Sequence, residues 1–598
     1  MAYDYFNPGT LRFFLFDVHG ADGLLAAGRY SHFDREAIGM LLDTLTDFSD
    51  RELYPYLREM DREPAYYRDG KIFVHPQFEK IFRMAGELGL IGASFDEEKG
   101  GMQLPSLVVN ALYFIMEAAN NHVTGYLGLT AGAANLILSF GNDELKKKYV
   151  PPMLSMEWGG TMCLTEPQAG SSLSDITTMA HPTESGHYLL RGQKVFISAG
   201  DHPYAENFVH LVLARLPDAP AGTKGISLFV VPKYRPDDTG RMEDNHVTVA
   251  GEFDKLGQRG YCTTHLVFGE TGDCHGWLLG EAHQGLGYMF QLMNEARIAT
   301  GRMGLGIASA AYYASLRYAR ERPQGRKLPT AGTKEIGAPQ TPIVNHPDIR
   351  RMLLSQKAIV EGSLSLVLQT SYYVDKTRIA TGTEKDNYEL LLELLTPVVK
   401  TYPAEAGFQA VNQGLQILGG YGYMQDFELQ QYLRDMRIIS IYEGTTGIQS
   451  LDLLGRKMTM KNGAAFKALA REIQTVMEMA HGYDDLRVYA GQLGETLQAT
   501  QQVLQTLLPH LLAGDQERYL ADATVFMEMF GLLVVGWQWL KTGVTAKKGG
   551  SFEPDFYEAK LHTLKYFFHY ELTKTTGLTA ILLNREGLTL SSQPDYFD

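Results

Sequence analysis

Residues 416–449 read QILGGYGYMQDFELQQYLRDMRIISIYEGTTGIQ. An apolar strip of Ile438, Ile439 and Ile441 runs into Tyr442 and Glu443, and Gly-Thr-Thr-Gly then breaks any helix. Thr446-Gly-Ile-Gln449 fits a capping box that opens a new helix through Leu451 and Leu454. Glu443 therefore lies in the loop just ahead of that helix. The competing pattern, a capping box of Ser440 with Glu443, is interrupted at once by Gly444. Apolar neighbours desolvate a carboxylate and raise its pKa, which suits a general base. The helix N-terminus ahead pulls the other way.

Upstream of this stretch the pattern is helical. GLGYMFQLMNEARIATGRMGLGIASAAYYASLRYARERPQGR, residues 285–326, reads as one long helix. Gly301, Gly304, Ala308, Ala311 and Ala314 give it a narrow face for close packing. Residues 347–378, 385–420 and 446–458 continue the helical period. RKLPTAGTKEIGAPQTPIVNHP is a polar loop before Pro347. Downstream, from Asn462, further amphipathic helices follow, and the apolar run FGLLVVGWQWL (530–540) is about half the ~20 residues of a membrane span. It reads as a buried helix, at a subunit contact if not in the core, so no membrane span is expected.

Between about 159 and 275 the texture is different. HYLLRGQKVFISAG, NFVHLVLARL, GISLFVVPKY and HVTVAGEFDKLG are β-branched and aromatic runs separated by Gly, Pro and Asp. They predict a small antiparallel barrel or sandwich. Residues 1–158 read mostly as helix, with LTAGAANLILSFGNDELKKKYVPPML stopping at Pro151-Pro152. The small face Ala131, Gly132, Ala133 and Ala134 admits a close neighbour, a packed element or a ligand. The fold class is thus α+β: an N-terminal helical domain (1–158), a middle antiparallel β domain (159–275), a C-terminal four-helix bundle (276–458) and an additional helical domain (459–598).

The chain's 598 residues are too many for one core and fit three or four domains at roughly 100–200 residues each. A net charge of −15 repels phosphate backbones, which argues against nucleic acid as a partner. The three cysteines, Cys163, Cys262 and Cys274, show no metal spacing and fit reduced thiols in a cytoplasm-like compartment. The N-terminus has neither a basic n-region before an apolar core nor an Arg-rich transit helix. GRMGLGIAS has a loose dinucleotide-binding spacing but no preceding strand. GTTGIQS lacks the Lys-Ser/Thr ending of a P-loop, Cys274-His275 is a lone pair, and no Gly-x-Ser-x-Gly elbow is present.

Two further segments carry chemistry. In MCLTEPQAGSSLSD, residues 162–175, Thr165, Ser171 and Ser172 supply hydroxyls, Gly170 frees a turn, and Pro167 with Gly170 holds backbone N–H groups outward. Such a loop suits a ligand rich in oxygens and ring acceptors; the plain alternative is a Ser-rich turn. In KVFISAG, residues 194–200, a strand ends on Phe196, Ile197 and Ser198. There an aromatic can cover a flat ring while a hydroxyl bonds its edge; the alternative is a core Phe beside a turn Ser.

Together, GLIGASFDEEKGGM, FGNDELKKKYVPPMLSMEWGG, LTEPQAGSS, FISAGD, LGQRG, ARIATGRMGLGIA, QILGGYGY and RDMRIISIYEGTTGIQ resemble the acyl-CoA dehydrogenase family from about residue 50 to 458. The extra C-terminal helices resemble its roughly 600-residue bacterial branch, which includes broad-range fatty acyl-CoA and 3-methylmercaptopropionyl-CoA dehydrogenases. The resemblance implies α,β-dehydrogenation of an acyl-CoA thioester to the trans-2-enoyl-CoA, with FAD as cofactor and electron-transfer flavoprotein as acceptor. It implies a homodimer or dimer of dimers. Glu443 matches the catalytic base. Met162, Leu164, Thr165, Gly170 and Ser171 match the first flavin loop, and Phe196 and Ser198 the second, where the family usually has Trp and Thr. Thr445 and Gly447 match flavin contacts after the base. Arg322, Gln416 and Gly420 match positions reaching FAD from the adjacent subunit. Ser171, Asn294, Arg297, Tyr442 and Gly444 match positions near the thioester and CoA. The chain departs from the pattern at Pro323-Gln324-Gly325-Arg326, where Thr-Phe-Gly is frequent, and at Asn294, which replaces Asp. An acyl-CoA oxidase shares this fold and base. A DNA-binding flavoprotein of the alkylation-response type needs a basic stretch in the C-terminal helices, where Ala546-Lys-Lys-Gly549 is the most this sequence offers.

Overall fold

The computed structural model of the chain describes residues 4–237, 239, 241–327, 337, 339–584 and 586–598, with backbone alone at 291–293. The polar loop before Pro347 thus lies partly, at 328–336 and 338, outside the described residues. The chain forms two compact units: residues 1–39, 106–114 and 300–598 in the first, residues 40–105 and 115–299 in the second.

The second unit is built on an eight-stranded sheet. Its order is Val247–Glu252, Thr263–Phe268, Tyr188–Ser198, Cys274–Leu278, Ile226–Pro232, Asn207–Arg215 and Trp158–Cys163, with Met179–Pro182 pairing both Tyr188–Ser198 and Asn207–Arg215. The expected all-antiparallel arrangement fails twice at Asn207–Arg215, which runs parallel to Trp158–Cys163 along its length and to Met179–Pro182 at Met179 and Arg215. Two strands and the loop of residues 164–178 intervene between Trp158–Cys163 and Asn207–Arg215, and a connection that long permits a parallel partner where a tight hairpin does not. Tyr188–Ser198 is shared: residues 188–190 pair with Cys274–Leu278, and residues 192–198 with Thr263–Phe268. Opposite His265 the register slips by one, so that Val195 and Phe196 share one partner position. This β-bulge breaks the in–out alternation, leaving Lys194 and Val195 both buried and Phe196 exposed.

The small face of helix Thr124–Phe140 takes the edge strand Trp158–Cys163. A Cβ on Gly160 would lie 2.6 Å from Met153 and 2.9 Å from Ala133, so glycine there sets the helix–strand distance. Helix Asp143–Leu154 does not stop at Pro151-Pro152 but runs through them to its end. The two prolines donate no N–H to the last turn, and the N–H groups of Ser155 and Met156 close the end on the carbonyls of Pro151 and Met153, both at 3.2 Å. Residues 66–73, read as helical surroundings, form a hairpin of Tyr66–Arg68 with Lys71–Phe73 around Asp69-Gly70, the turn pair that a two-residue hairpin favours.

Under the sheet lies a buried ion pair. Lys194 Nζ is 2.8 Å from Glu166 Oε1, and the two side chains are 0% and 1% exposed. Glu166 also accepts from the N–H and hydroxyl of both Thr177 and Thr178 at 2.7–3.0 Å and from Gln168 Nε2 at 2.8 Å. Lys194 donates in addition to the Leu164 carbonyl at 3.0 Å. Burial pushes the Glu166 carboxyl up, but the Lys194 ammonium and the converging donors outweigh it and hold it well below the usual carboxylate range. Burial pushes the Lys194 ammonium down.

In the first unit, helices Pro347–Ile379 and Gly382–Ile417 pack on one another, and residues 301–311 of helix Gly285–Glu321 lie along the second, from Val399 to Gly414. A Cβ on Gly301 would meet the Val399 carbonyl at 1.9 Å: the glycine spacing read as helix packing is helix packing. Helix Ser106–Ala119 has no cap of its own, since Pro105 precedes it. Asp375, fully buried, supplies one by accepting from the Ser106 and Leu107 N–H groups at 2.7 and 2.8 Å and from Tyr30 at 3.1 Å. The apolar run 530–540 belongs to a longer helix, Ala523–Lys548, because helix-forming residues extend it on both sides. Among the described residues it is the one helix long and apolar enough to cross a membrane by length and composition, and 83% of its most apolar window is buried in the protein. It lies on helix Pro347–Ile379, with Trp539 Nε1 donating to the Ala358 carbonyl at 3.1 Å and Ser365 Oγ donating to Gln538 at 2.8 Å.

Breaking a buried pair strands the remaining charge. Lys194→Met is therefore expected to destabilise the protein by about 3–5 kcal/mol, with Glu166→Gln/Lys194→Met recovering much of the loss; thermal unfolding measures both. The pH dependence distinguishes the two states of Glu166. With Lys194 present, the folded-state pKa lies below the ordinary 4.5, so the stabilisation is full above that value and is lost as pH falls below it. Without Lys194, burial is opposed only by the threonine and glutamine donors, so the stability lost on acidification through the same range should be smaller in the variant than in wild type.

Candidate active site

The ion pair positions one set of predicted residues. Strand Trp158–Cys163 delivers the chain to the loop, and Glu166 and Ala169 exchange backbone hydrogen bonds at 3.1 and 3.0 Å. This makes a tight turn whose outer residues, Pro167 and Gln168, are exposed. The Thr165 carbonyl accepts from Val195 N–H at 3.0 Å, and Lys194 reaches the Leu164 carbonyl. The loop carrying Met162, Leu164 and Thr165 is thereby laid beside the bulge carrying Phe196 and the strand end carrying Ser198. Met162, Leu164, Thr165 and Ser198 are half-buried, and Gly170 and Ser171 are exposed. Gly170 does not serve the turn as expected: its φ is not positive, and a Cβ there would meet nothing within 4 Å. The hairpin-like Glu166–Ala169 exchange makes the turn instead. Phe196 is 60% exposed at φ 59°, with its ring 4.6 Å from that of Phe253. A core role for it is excluded. Asn294 is half-buried and Arg297 buried on the stretch 285–299 of the long helix, in the same unit.

Glu443 lies in the first unit. It is half-buried at φ 56°, followed by Gly444 at φ 87°. Two consecutive left-handed residues turn the chain sharply into helix Thr446–Leu451. The isoleucine strip dries this turn less than expected: Ile439 is fully buried, but Ile438 is half-buried and Ile441 is 46% exposed. Residues 438–440 form a tight 3-10 turn, whose three-residue period sends successive side chains to different sides. The cap is also displaced by one residue. Thr445, not Thr446, is the N-cap, accepting from Ile448 N–H at 3.2 Å, while Thr446 donates its hydroxyl to Glu405 and to the Ser440 carbonyl. Gln449 does not complete a capping box either, because its Nε2 donates to the Glu443 carbonyl at 3.0 Å. Tyr442 is half-buried and its hydroxyl donates to Met303 Sδ at 3.2 Å. Gly447 is exposed on the first turn of the helix.

A separate cavity of about 450 Å³ in the first unit is lined by Arg322, Gln324, Ile343, Gly420, Tyr421 and Met424 among others. It brings together two of the three residues matched to the adjacent subunit's cofactor. Gln416, the third, is exposed on the last turn of helix Gly382–Ile417 and is not among the lining residues. The departure Pro323-Gln324-Gly325 is tied down: Gln324 N–H donates to the Thr341 carbonyl at 3.0 Å and Thr341 N–H to the Gly325 carbonyl at 3.1 Å.

Sequence reading passed over Glu166, Lys194 and Gln449 as site residues. A lysine placed where strand alternation turns inward, and an acid directly ahead of the exposed Pro167-Gln168 tip, were the available signals for the first two. Gln449 had been assigned to its own helix end.

Comparison with known proteins covers nearly the whole chain. Four domain families match in order: "Acyl-CoA dehydrogenase, N-terminal domain" over residues 35–157, "Acyl-CoA dehydrogenase, middle domain" over 161–271, "Acyl-CoA dehydrogenase, C-terminal domain" over 283–458, and "Acetyl-CoA dehydrogenase C-terminal like" over 469–592. A 3-methylmercaptopropionyl-CoA dehydrogenase of Ruegeria pomeroyi is 35% identical over 557 residues, covering 92% of each chain. A broad-specificity linear acyl-CoA dehydrogenase of Mycobacterium tuberculosis is 33% identical over 573 residues, covering 93% of each. Among solved structures, an acyl-CoA dehydrogenase of Bacillus anthracis in complex with FAD shares the fold at a TM-score of 0.74 and 23% identity, over 93% of this chain and 90% of that one. Identity at this level, sustained across nine-tenths of both chains, shows that this chain belongs to the acyl-CoA dehydrogenase family.

Proposed function

We propose that this protein is an FAD-dependent acyl-CoA dehydrogenase in which Glu443 removes the α-proton of a saturated acyl-CoA thioester to give the trans-2-enoyl-CoA. The observation that carries this reading is the Glu443 turn: a half-buried carboxylate on a left-handed backbone directly ahead of a helix. A surface acid with no such task gains nothing from a strained backbone.

The residues present fit a flavin. Phe196 is an exposed aromatic turned out by a bulge, and Met162, Leu164, Thr165, Gly170, Ser171 and Ser198 offer apolar, hydroxyl and backbone groups beside it. Thr445 uses an oxygen lone pair to cap its helix, which leaves its O–H to donate to a ligand acceptor; Gly447 follows it on the open side of the first turn. Arg322 and Gly420, with Gln416, reach FAD of an adjacent subunit in a homodimer or dimer of dimers. FAD, when bound, supplies the acceptor for the β-hydrogen as hydride.

Glu443 accepts the proton as the α C–H bond breaks. Negative charge then develops on the thioester oxygen, and the Glu443 backbone N–H donates to it, a contact typically worth about 3–4 kcal/mol. Tyr442, Gly444, Ser171, Asn294 and Arg297 bind the thioester and CoA. The names of the relatives support a linear acyl chain as substrate, with the methylthio-propionyl thioester included. Electrons leave to an electron-transfer flavoprotein, in a bacterial cytoplasm. The chain divides functionally into segments 1–158, 159–275, 276–458 and 459–598; the closed circuit of strands in the second is a small barrel that presents both flavin loops, and the third is a four-helix bundle.

Glu443→Gln is expected to keep its FAD while losing turnover by roughly 10²–10⁴-fold. Anaerobic bleaching of the flavin by acyl-CoA measures this, and wild-type bleaching in the variant removes Glu443 from the role. Among butyryl-, long-chain and methylthio-propionyl-CoA, at least one should bleach the wild-type flavin; bleaching by none contradicts the assignment.

A further inference from the structure

A non-glycine residue rarely holds φ at 56°, and it does so only where its surroundings over-determine it. At Glu443, Gln449 is one such surrounding. Gln449 Nε2 donates to the Glu443 carbonyl at 3.0 Å, and Gln449 is fully buried. Its own backbone N–H is fixed by the Thr445 carbonyl at 2.9 Å, so the side chain starts from a rigid helical turn. The amide also closes over Gly444. A Cβ there would lie 2.6 Å from Gln449 Nε2, so the glycine after the base and the glutamine six residues on require each other.

The other half of this amide is unsatisfied: Gln449 Oε1 is buried with no hydrogen-bond partner among the described residues. A buried amide bonded on one side only is a poor choice for stability, since an apolar side chain of the same shape carries no such cost. Leucine or methionine would serve a helix core better. The donor alone, aimed at the backbone of Glu443, accounts for the residue.

We infer that Gln449 is a positioning residue for proton abstraction: its amide pins the carbonyl of Glu443, holds the left-handed turn, and so aims the carboxylate. This rests on Glu443 being the base, and its test is arranged so that the two ideas fail separately. Gln449→Met and Glu443→Gln are compared with wild type as FAD-loaded protein. Gln449→Met should melt at or above the wild-type temperature, keep its FAD and keep KM for acyl-CoA within about twofold. Its kcat should fall about ten- to a hundredfold, the usual scale for a misplaced reacting group, and the isotope effect from α-deuterated acyl-CoA should rise. If Glu443→Gln retains wild-type turnover, the base is misassigned. If Glu443→Gln is inactive while Gln449→Met keeps the wild-type kcat and isotope effect, the positioning role is overturned. A Gln449→Met protein that melts well below wild type, or loses FAD, makes the side chain structural and overturns it equally.

Discussion

Taking a carboxylate and an ammonium out of water costs several kcal/mol each unless they meet with good geometry and further hydrogen bonds. In the β-rich unit Glu166 and Lys194 meet this requirement almost entirely out of solvent. The consequence is positional. Glu166 belongs to the loop after the edge strand and Lys194 to the strand that ends in Phe-Ile-Ser, so neither can shift without stranding a charge. The Val195–Phe196 bulge follows directly from this demand. Lys194 must point inward, the apolar Val195 next to it must also be buried, and the strand accommodates both by throwing Phe196 to the outside. The exposed aromatic is thus the visible end of a chain of constraints that begins at the buried pair.

The helical unit holds Glu443 by different means. Here backbone conformation, not charge, is what must be enforced. Gly444 makes the turn sterically open, Thr445 caps the helix that follows, and Gln449 ties the far side of the turn to that helix. Each group has a local partner within six residues, so the turn and the helix form one rigid piece. That piece rests on glycine-spaced packing of long helices, in which Gly301 lets one backbone touch another.

Much of this was legible in local pattern. The helices read at 285–326, 347–378 and 385–420 lie within five residues of the observed ends, and they, the strand-rich middle and the position of Glu443 before a helix start follow from local pattern. Long-range chemistry was not legible. Lys194 reads as an ordinary polar residue of a strand until Glu166, 28 positions earlier, is placed under it. The cap on helix Ser106–Ala119 comes from Asp375, 268 residues away from Leu107, and no pattern near Pro105 announces it. Thr446 and Gln449 fit a capping box by type and spacing, yet Thr445 serves as the cap and Gln449 turns to the Glu443 carbonyl, a choice made by backbone angles that sequence does not display. The isoleucine strip shows the same limit: composition marks it as apolar, but the tight turn at 438–440 scatters the side chains.

The central claim is that Glu443 takes the α-proton, and it can be isolated from hydride transfer. An acyl-CoA whose β-carbon carries no hydrogen can lose its α-proton but cannot be oxidised. Incubated with FAD-loaded enzyme in heavy water, it should take up deuterium at the α-carbon, read by mass spectrometry, and the Glu443→Gln enzyme should leave it unlabelled. Equal labelling by both proteins would contradict the account.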